Sequence, residues 1–458
     1  MGLLSGKNGA TRRTILALAW PVVLANLFQT LTTTVDLLMV GRLPDPAVAL
    51  AAVGFGGQMV FFTFTIMISI TSGTVALVSR FIGAKEPERA SRVLGQSLLL
   101  GLVLSLPVIL VGLLFGESIV ALFGAEPEVV AAGGTYIRTV FFAAPFLFTM
   151  FISIAALRGA GDTLTPLLVG LLINASNVVL NFHLIFGADY TLGGLELVIP
   201  PLGVFGAAIG TSLSFTLGAM VYLALFLRGR LRLQLRRPRP LWNREAARRI
   251  LRIGAPAGME QVAFQGGILI WIALVVSFGT EAFAAHNIGL RIESFAFMPG
   301  LGFSIAAAAL VGQNLGAEKP KEAERSGRES TKMALLIMGS IAVVIFVAAP
   351  LIALAFTSDQ AVVDLTVLFI RIHALGIPAT GLFFSVAGAL RGAGDTRWPF
   401  YATLVGIYGL RLPLSFLLGF QLGFGIVGVW AALPIEYYLR SLIVGQRFQT
   451  GAWKAVTV

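Results

Sequence analysis

The sequence predicts an all-α integral membrane protein with twelve transmembrane helices, arranged in two six-helix lobes related by a pseudo-twofold axis along the membrane normal. The 458-residue chain is 57% hydrophobic and 12% charged, whereas soluble domains are about 25% charged. Apolar runs long enough to cross a bilayer recur along its length. The heptapeptide Leu157–Thr163 also recurs unchanged as Leu390–Thr396, at half the chain length. This spacing indicates internal duplication, so both halves are predicted to share one fold.

Each predicted span is an apolar run of about 20 residues or more, the length that crosses the hydrocarbon core as a helix. The runs cover residues 14–40, 50–79, 93–115, 129–156, 164–186, 204–227, 247–277, 281–311, 331–356, 361–389, 398–420 and 426–446. An even number of spans puts both termini on one side of the membrane. Six spans per half give the two copies the same orientation, with a binding site expected between them near the midplane.

The repeat also sets the predicted domain boundaries. The first lobe is assigned to residues 1–227 and the second to 247–458, joined by a connector over 228–246. About eleven extra residues around 187–201 have no counterpart in the second half. We expect them to form a loop at the outer face.

Landmarks in the two halves recur at offsets of 233 or 235 positions, as Pro21 does at Pro256. These offsets predict which residues of the second half occupy the places of the polar residues in the first. The predicted matches are Asp36 with Trp271, Asn177 with Leu410, and Asn181 with Leu414.

The net charge of +11 is concentrated beside the predicted spans. The connector carries Arg228, Arg230, Arg232, Arg236, Arg237, Arg239 and Arg244. Basic loops mark the cytoplasmic side, so both termini are predicted to be cytoplasmic. A nucleic-acid partner is not expected, because the basic segment is short and has no interleaved aromatic residues.

No pattern for catalysis or cofactor binding is present. The chain has no cysteine, which excludes disulfides and thiolate metal sites. It also has no phosphate-binding Gly-Lys-Ser/Thr motif, so ATP is not the expected energy source. A membrane-embedded enzyme is therefore disfavoured, because no clustered acid–base or metal-binding constellation is present. No cofactor or metal is predicted.

Asp36 is the most informative residue of the first half. It lies near the outer end of the first predicted span among threonines, where an ionised carboxylate is costly. Asn177 and Asn181, four residues apart and so on one helix face, and Thr211 could supply oxygens for a proton relay or Na⁺. The alternatives are an Asp36 side chain that reaches the interface or pairs with Arg42, and ordinary interhelical hydrogen bonds. A bend at Pro21 is expected to be mechanistic.

The second half places Glu260, Arg291, Glu293 and Arg371 within predicted spans. Arg291 and Glu293 are two apart, so they do not face each other on a helix. Glu260 is expected to pair with Arg291 or Arg371. Both structural ion pairing and proton coupling remain open for this group.

Aromatic residues of the first half are candidates to line a substrate cleft, with lipid contact as the alternative. These are Phe28, Phe61, Phe62, Phe141 and Phe148.

The sequence resembles the multidrug and toxic compound extrusion (MATE) transporters over nearly its whole length. The resemblance rests on Leu-Arg-Gly-Ala-Gly-Asp after the fourth and tenth spans, on Pro21 with Val35-Asp36, on Gly-Ala-x-x-Pro after the second and eighth spans, and on Pro256-Ala257 with Glu260-Gln261. It implies an antiporter that exports amphipathic or cationic organic compounds in exchange for H⁺ or Na⁺ by alternating access, with Asp36 as the coupling carboxylate. It also implies a monomer in the lipids of a bacterial inner membrane.

The same resemblance leaves one subtype and one rival function to consider. One branch of the family has a glutamate and an aspartate where this chain has Phe264 and Thr380. The resemblance is therefore greater to DinF-like than to NorM-like members. The rival is a flippase for a lipid-linked precursor, for which Arg138, Arg371 and Arg411 could form a basic cleft.

Overall fold

The computed structural model describes residues 8–192, 195–229, 231–235 and 242–457. In these ranges ten helices are long and apolar enough to cross a membrane, and two bent helix pairs bring the number to twelve when each pair is one span. The predicted all-helical membrane fold is confirmed. Four of the connector arginines lie outside the described residues: Arg230, Arg236, Arg237 and Arg239.

The elements of the first half are α1 (Gly9–Val40), α2 (Pro46–Gly83), α3 (Pro87–Ala121), α4 (Pro127–Phe142), α5 (Ala144–Gly159), α6 (Leu164–Phe186), β1 (Ala188–Leu192), β2 (Leu195–Ile199) and α7 (Gly203–Leu227). Those of the second half are α8 (Arg244–Val276), α9 (Thr280–Gly316), α10 (Pro320–Phe356), α11 (Gln360–Ala374), α12 (Ile377–Gly392), α13 (Arg397–Leu404), α14 (Leu412–Phe416) and α15 (Gly425–Thr450). The extra segment of the first half contains an antiparallel strand pair, in which Ala188 lies opposite Ile199.

The fourth and tenth spans are bent at equivalent places. Helices α4 and α5 meet at 55°, and α11 and α12 meet at 44°. Pro145 and Pro378 each occupy the first turn of the helix after the break. In that turn a missing N–H leaves no helical hydrogen bond unmade, so proline begins a new helix there without penalty.

Matching glycine contacts show how the two halves reuse one packing scheme. An added Cβ on Gly56 would collide with the ring of Tyr136, and one on Gly289 would collide with the ring of Phe369. Both contacts are separated by the offset of 233 that relates the two heptapeptides.

A π-helical segment over Val405–Arg411 changes the offset within the eleventh span. A π-helical turn accommodates one more residue than an α-helical turn, so residues beyond it match the first half at an offset of 234. Gly206 accordingly packs against Leu184, and Gly428 against Leu418.

Two of the predicted matches between the halves are therefore wrong. Asn177 corresponds to Arg411 and not to Leu410, and Asn181 corresponds to Ser415 and not to Leu414. The π-helical segment is the reason, because it adds one residue to the second half. The flanking residues in the sequence do not reveal this extra position.

The two halves contact each other at the end of the bundle that carries the amino terminus. An added Cβ on Gly83 would meet the carbonyl of Gln313, and one on Gly316 would meet the carbonyl of Arg80. These contacts are reciprocal, because Gly316 is the repeat counterpart of Gly83 and Gln313 is the repeat counterpart of Arg80. They bring α2 and α9 to backbone contact.

The duplicated heptapeptides complete this closed end. Arg80 donates to the carbonyl of Ala393 at 3.2 Å, and Gln313 donates to the carbonyl of Gly159 at 3.0 Å. Each half thus reaches the heptapeptide turn of the other half. Gly161 and Gly394 have φ of +82° and +88°, a left-handed conformation that favours glycine.

Candidate functional site

Asp36 lies in a polar pocket formed by α1, α6 and α7. The Nδ2 of Asn181 donates to its Oδ1 at 2.8 Å. The amide of Asn177 lies 3.1 and 3.0 Å from the two carboxylate oxygens when its nitrogen faces them. The two asparagines are four residues apart on α6, so one helix face supplies both amides.

Thr211 and Tyr136 extend the pocket away from Asp36. The amide of Asn177 lies 3.5 Å from Thr211 Oγ1, and the buried Tyr136 forms a hydrogen bond with Thr211. Tyr136 was missed in the sequence. The signal available was its repeat counterpart Phe369, which has the same ring without the hydroxyl group.

Asp36 has no ion pair with any of the residues that the structure describes. Arg42 is exposed and does not pair with it. Two neutral amides therefore provide the observed polar contacts of the carboxylate. Removing an ionised carboxylate from water without a cation is costly, and binding of a proton relieves that cost.

The equivalent place in the second half is filled differently. Trp271 replaces the aspartate, and its Nε1 donates to Ser415 Oγ at 3.1 Å. The guanidinium of Arg411 lies 5.6 Å from the centre of the Trp271 ring and forms a 2.6 Å ion pair with Glu436 of α15. Both members of that pair are almost completely buried.

Glu260 pairs with Arg391 and not with the predicted Arg291 or Arg371. The Nη2 of Arg391 lies 2.8 and 2.7 Å from the two oxygens of Glu260. Arg291 and Arg371 are both exposed, and Arg371 stacks over Phe346 at 5.5 Å. Their helix faces point outward, which spacing along the sequence does not reveal.

Thr403 extends the Glu260 cluster across the second half. It donates to Glu260 Oε1 at 3.1 Å and accepts from Arg440 Nη2 at 2.9 Å. Arg440 also lies 4.0 Å above the ring of Phe383 and 3.4 Å from Glu436. A continuous buried polar network therefore runs from Arg391 to Arg411.

Glu293 is held by two aromatic neighbours. Tyr437 donates to its Oε1 at 2.9 Å, and the Nε2 of His373 lies 3.7 Å from the same oxygen. His286 packs edge-on against Trp271 and Phe369. Among the described residues no three His, Cys, Asp or Glu side chains could hold a metal ion together.

A cavity of about 770 Å³ lies between the two halves, within the size range of small-molecule sites. Its walls are mostly apolar. Polar and charged side chains that line it include Ser72, Arg158, Glu260, Glu293, Arg391 and Arg440.

The structure brings only one of the five predicted cleft aromatics to this cavity. Phe61 lines it. Phe141 and Phe148 pack in the hydrophobic core of the first half. Phe28 and Phe62 are exposed and do not line the cavity. The hydrophobicity of a span does not indicate which of its faces is turned to lipid, to core or to cleft.

Pro21 is buried within α1, which continues as one helix from Gly9 to Val40.

Arg138 pairs with Glu117 at 2.9 Å. None of the three arginines proposed for a basic cleft therefore lines the cavity: Arg138, Arg371 and Arg411.

A duplicated bundle of transmembrane helices with a cavity between its halves is the architecture of secondary transporters. The sequence profile of the MatE family matches residues 21–183 and 256–417, once in each half. The chain therefore belongs to the MatE family of transporters, which are not enzymes.

The curated relatives are similar over nearly the full chain. A Mesorhizobium japonicum protein named probable multidrug resistance protein NorM is 32% identical over 439 residues, which cover 92% of this chain and 90% of the relative. A Thermotoga maritima protein of the same name is 28% identical over 446 residues, which cover 97% and 93%.

Solved structures agree with the fold. One, described as the outward-facing conformation of a multidrug resistance MATE family transporter of the MOP superfamily, has a TM-score of 0.86 at 22% identity and covers 98% of each chain. Another, a MOP superfamily transporter from Pyrococcus furiosus, has a TM-score of 0.87 at 23% identity and covers 99% of this chain and 98% of that one. Its description states that reverse polarity of the binding pocket suggests a different function.

Proposed function

We propose that the protein is a multidrug efflux antiporter of a bacterial inner membrane. It exports amphipathic organic compounds, cationic ones among them, in exchange for H⁺. It works as a monomer with both termini in the cytoplasm. Residues 1–227 and 247–458 form the two lobes that move relative to each other during alternating access.

The observation that carries this proposal is the environment of Asp36. A half-buried carboxylate on α1 is held by two amides of α6 and by no cation among the described residues. Such a group changes its hydrogen bonding when it gains or loses a proton. Coupling requires this kind of difference between two states.

The Asn177 amide gives the two protonation states different hydrogen bonds. When Asp36 is ionised, the nitrogen of Asn177 donates to the carboxylate and its oxygen accepts from Thr211. When Asp36 is protonated, its hydroxyl donates to the oxygen of Asn177, whose nitrogen then donates to Thr211. Proton binding thus rearranges the contacts among α1, α6 and α7, and α1 responds by bending about Pro21.

A proton fits this pocket better than Na⁺ does. Hard cations require several oxygen ligands, whereas the asparagines turn their nitrogens toward an ionised Asp36. Coupling in the first half alone, the DinF-like arrangement, is supported by Phe264 and Thr380, which line the cavity where another branch has carboxylates. Glu260 is a structural partner of Arg391 in this scheme.

The reciprocal contacts of Gly83 and Gly316 support an outward-facing state. They close the end of the bundle that the charge distribution assigns to the cytoplasm. Substrate in the cavity is then released to the outside, and proton binding at Asp36 starts the return.

Proteoliposomes with independently imposed H⁺ and Na⁺ gradients test the proposal. We expect a proton gradient to drive ethidium transport, a Na⁺ gradient to have no effect, and Asp36→Asn to abolish the response. Asp364→Asn, an exposed carboxylate on α11, is the matched control and should transport normally. Gradient-driven transport that survives Asp36→Asn would overturn the coupling role.

Lipid-linked precursor flipping is the second candidate function. It is supported by a different set of arginines from the one expected, because Arg158, Arg391 and Arg440 line the cavity. Scrambling of a fluorescent lipid-linked pyrophosphate by the same proteoliposomes, without gradient-driven ethidium transport, would favour the flippase.

A further inference from the structure

Arg158 and Arg391 are the same residue of the duplicated heptapeptide, yet among the described residues only Arg391 has a carboxylate partner. Both line the central cavity. Arg391 forms a two-oxygen contact with Glu260, at 2.7 and 2.8 Å. The two repeats therefore differ in the pairing of this arginine at the cavity wall.

Arg158 has no hydrogen bond or ion pair with the described residues. Its Nε is buried without a partner. Tyr222 of α7 lies close enough to Arg158 to interact with it electrostatically, but the two side chains form no hydrogen bond, since the buried hydroxyl of Tyr222 has no partner. Asp162 of the same heptapeptide is already engaged by Thr165, at 2.9 Å to its backbone N–H and 2.6 Å to its hydroxyl.

The other carboxylates of the cavity are also engaged. Glu260 is held by Arg391, and Glu293 by Tyr437. An unpaired guanidinium therefore faces a largely apolar chamber, where attraction for an anion is stronger than in water.

The repeat shows why no described carboxylate pairs with Arg158. Gly254 packs against the carbonyl of Ser69, and Gly302 packs against the carbonyl of Ala19. Since Gly302 is the counterpart of Ser69, Gly254 is the counterpart of Ala19, which sets the offset between α1 and α8 at 235. The counterpart of Glu260 is then Ala25.

The rest of the polar cluster is missing from the first half as well. Gly170 is the counterpart of Thr403, at the same offset as the two heptapeptides. Gly218 is the counterpart of Arg440, at the offset between Gly206 and Gly428, which make matching contacts. A side chain added at Gly170 would meet no atom within 4 Å. The first half thus keeps the arginine but has neither a counterpart of Glu260, which pairs with Arg391, nor the two polar residues that extend the Glu260 cluster.

We propose that Arg158 binds an acidic group of the transported molecule, so that the cavity takes amphipaths that carry a carboxylate, sulfonate or phosphate besides an apolar body. The inference rests on the proposed function and adds amphipaths with an acidic group to the cationic ones among its substrates. The guanidinium offers paired N–H donors that match two oxygens of such a group, as Arg391 does with Glu260.

Fluorescence titration of the purified full-length chain with a matched pair of probes tests this. The probes are dansylamino-undecanoic acid and its methyl ester, which differ only in the acidic group. We expect the Kd of the acid to rise about tenfold or more in Arg158→Gln, with no change for the ester. Arg89→Gln, an exposed arginine on α3, is the control and should bind both probes as the wild type does. Equal affinity of the wild type for acid and ester would overturn the proposal.

A second substitution tests the same idea without removing the arginine. Ala25→Glu places a carboxylate where the second half has Glu260 and should weaken binding of the acid as Arg158→Gln does. Ala25→Gln has nearly the same size and should not weaken it. If both Ala25 variants behave alike, neutralisation of Arg158 is not the cause and the proposal fails.

Two further arms separate the source of the ligand and the proposed function. A short-chain phosphatidic acid titrated in parallel assigns the site to a lipid headgroup if it binds more tightly than the dansyl acid, and to a soluble organic acid if it binds more weakly. Gradient-driven ethidium transport with no acid selectivity would overturn the role of Arg158 alone. Acid selectivity without gradient-driven transport of any probe would overturn the antiporter alone.

Discussion

The polar pocket of the first half and its counterpart in the second half are built on the same helices and do opposite things. Around Asp36 a carboxylate is held by neutral donors and has no ion pair within the part of the chain that the structure describes. Around Trp271 the space is filled by an indole ring, and the local charge, Arg411, is neutralised by Glu436. Duplication therefore preserves the scaffold, whereas among the described residues the first-half pocket holds a carboxylate without an ion pair and the second-half pocket holds a neutralised arginine.

The two pockets also differ in how much stability depends on them. The Arg411–Glu436 pair is almost completely buried, so each member depends on the other. The contacts of Asp36 with the described residues are hydrogen bonds with neutral amides, and the side chain remains partly accessible. This arrangement suits the proton exchange proposed for Asp36, because a permanent ion pair would hold the carboxylate in one charge state.

Substitutions at the matching positions Asp36 and Trp271 should give the largest contrast. Asp36→Asn is expected to abolish gradient-driven transport, because no group remains to exchange a proton. Trp271→Phe loses one hydrogen bond and should retain transport. The double variant Asp36→Asn with Trp271→Asp should not recover it, because a carboxylate beside Arg411 is held as an ion pair. Recovery in proteoliposome assays would mean that the halves are interchangeable.

Arg411 and Asn177 should differ strongly in their effect on stability. Arg411→Leu removes the closer of the two arginines that pair with the buried Glu436 and should cost about 3–5 kcal/mol in the free energy of unfolding. Asn177→Leu removes the hydrogen bonds of a buried neutral amide and should cost about 1 kcal/mol. Unfolding by SDS in mixed micelles measures both.

The double variant Arg411→Leu with Glu436→Leu is the control for this prediction. It removes both charges and should recover much of the loss, since a buried ion pair can be replaced by apolar residues. Equal losses for Arg411→Leu and Asn177→Leu would show that the two pockets are energetically alike.

The closed end of the bundle should behave symmetrically, unlike the pockets. Gly83→Val and Gly316→Val each force a side chain against a backbone carbonyl of the other half, and each should cost about 1–3 kcal/mol. Gly57→Val, in open space on the same α2 helix, should cost less. Thermal unfolding in detergent tests the set, and a large inequality between the first two would contradict the reciprocal packing.

The smallest expected effect is a change in ion response at Asn181. Asn181→Asp adds a second carboxylate beside Asp36 and should make transport respond to a Na⁺ gradient, because carboxylate oxygens suit hard cations. Ser415→Asp at the matching position should not, since Arg411 would neutralise the new charge. Transport with imposed Na⁺ gradients distinguishes these outcomes, and a Na⁺ response in both variants would argue against the asymmetry.

Sequence patterns identified much of the fold and part of the pocket. Span length and the repeated heptapeptide predicted the helices, and the polarity of Asp36, Asn177, Asn181 and Thr211 selected residues that the structure brings together. The matches of Asn177 and Asn181 with the second half were wrong by one position, because a π-helical turn has no distinct sequence signature here. The partner of Glu260 was wrong as well, because helix rotation decides which arginine faces it.

The sequence by itself determined that the chain is a duplicated membrane protein and that a predicted span of the first half carries the carboxylate Asp36. The length of an apolar run and the identity of two repeated segments can be read from the sequence without knowledge of tertiary contacts. Tertiary structure alone decided which charges are neutralised, since ion pairs form between helices far apart in the chain. It therefore took the packed structure to distinguish Arg391, which is held by Glu260, from its identical copy Arg158, which faces the cavity and has no partner in the ranges that the structure describes.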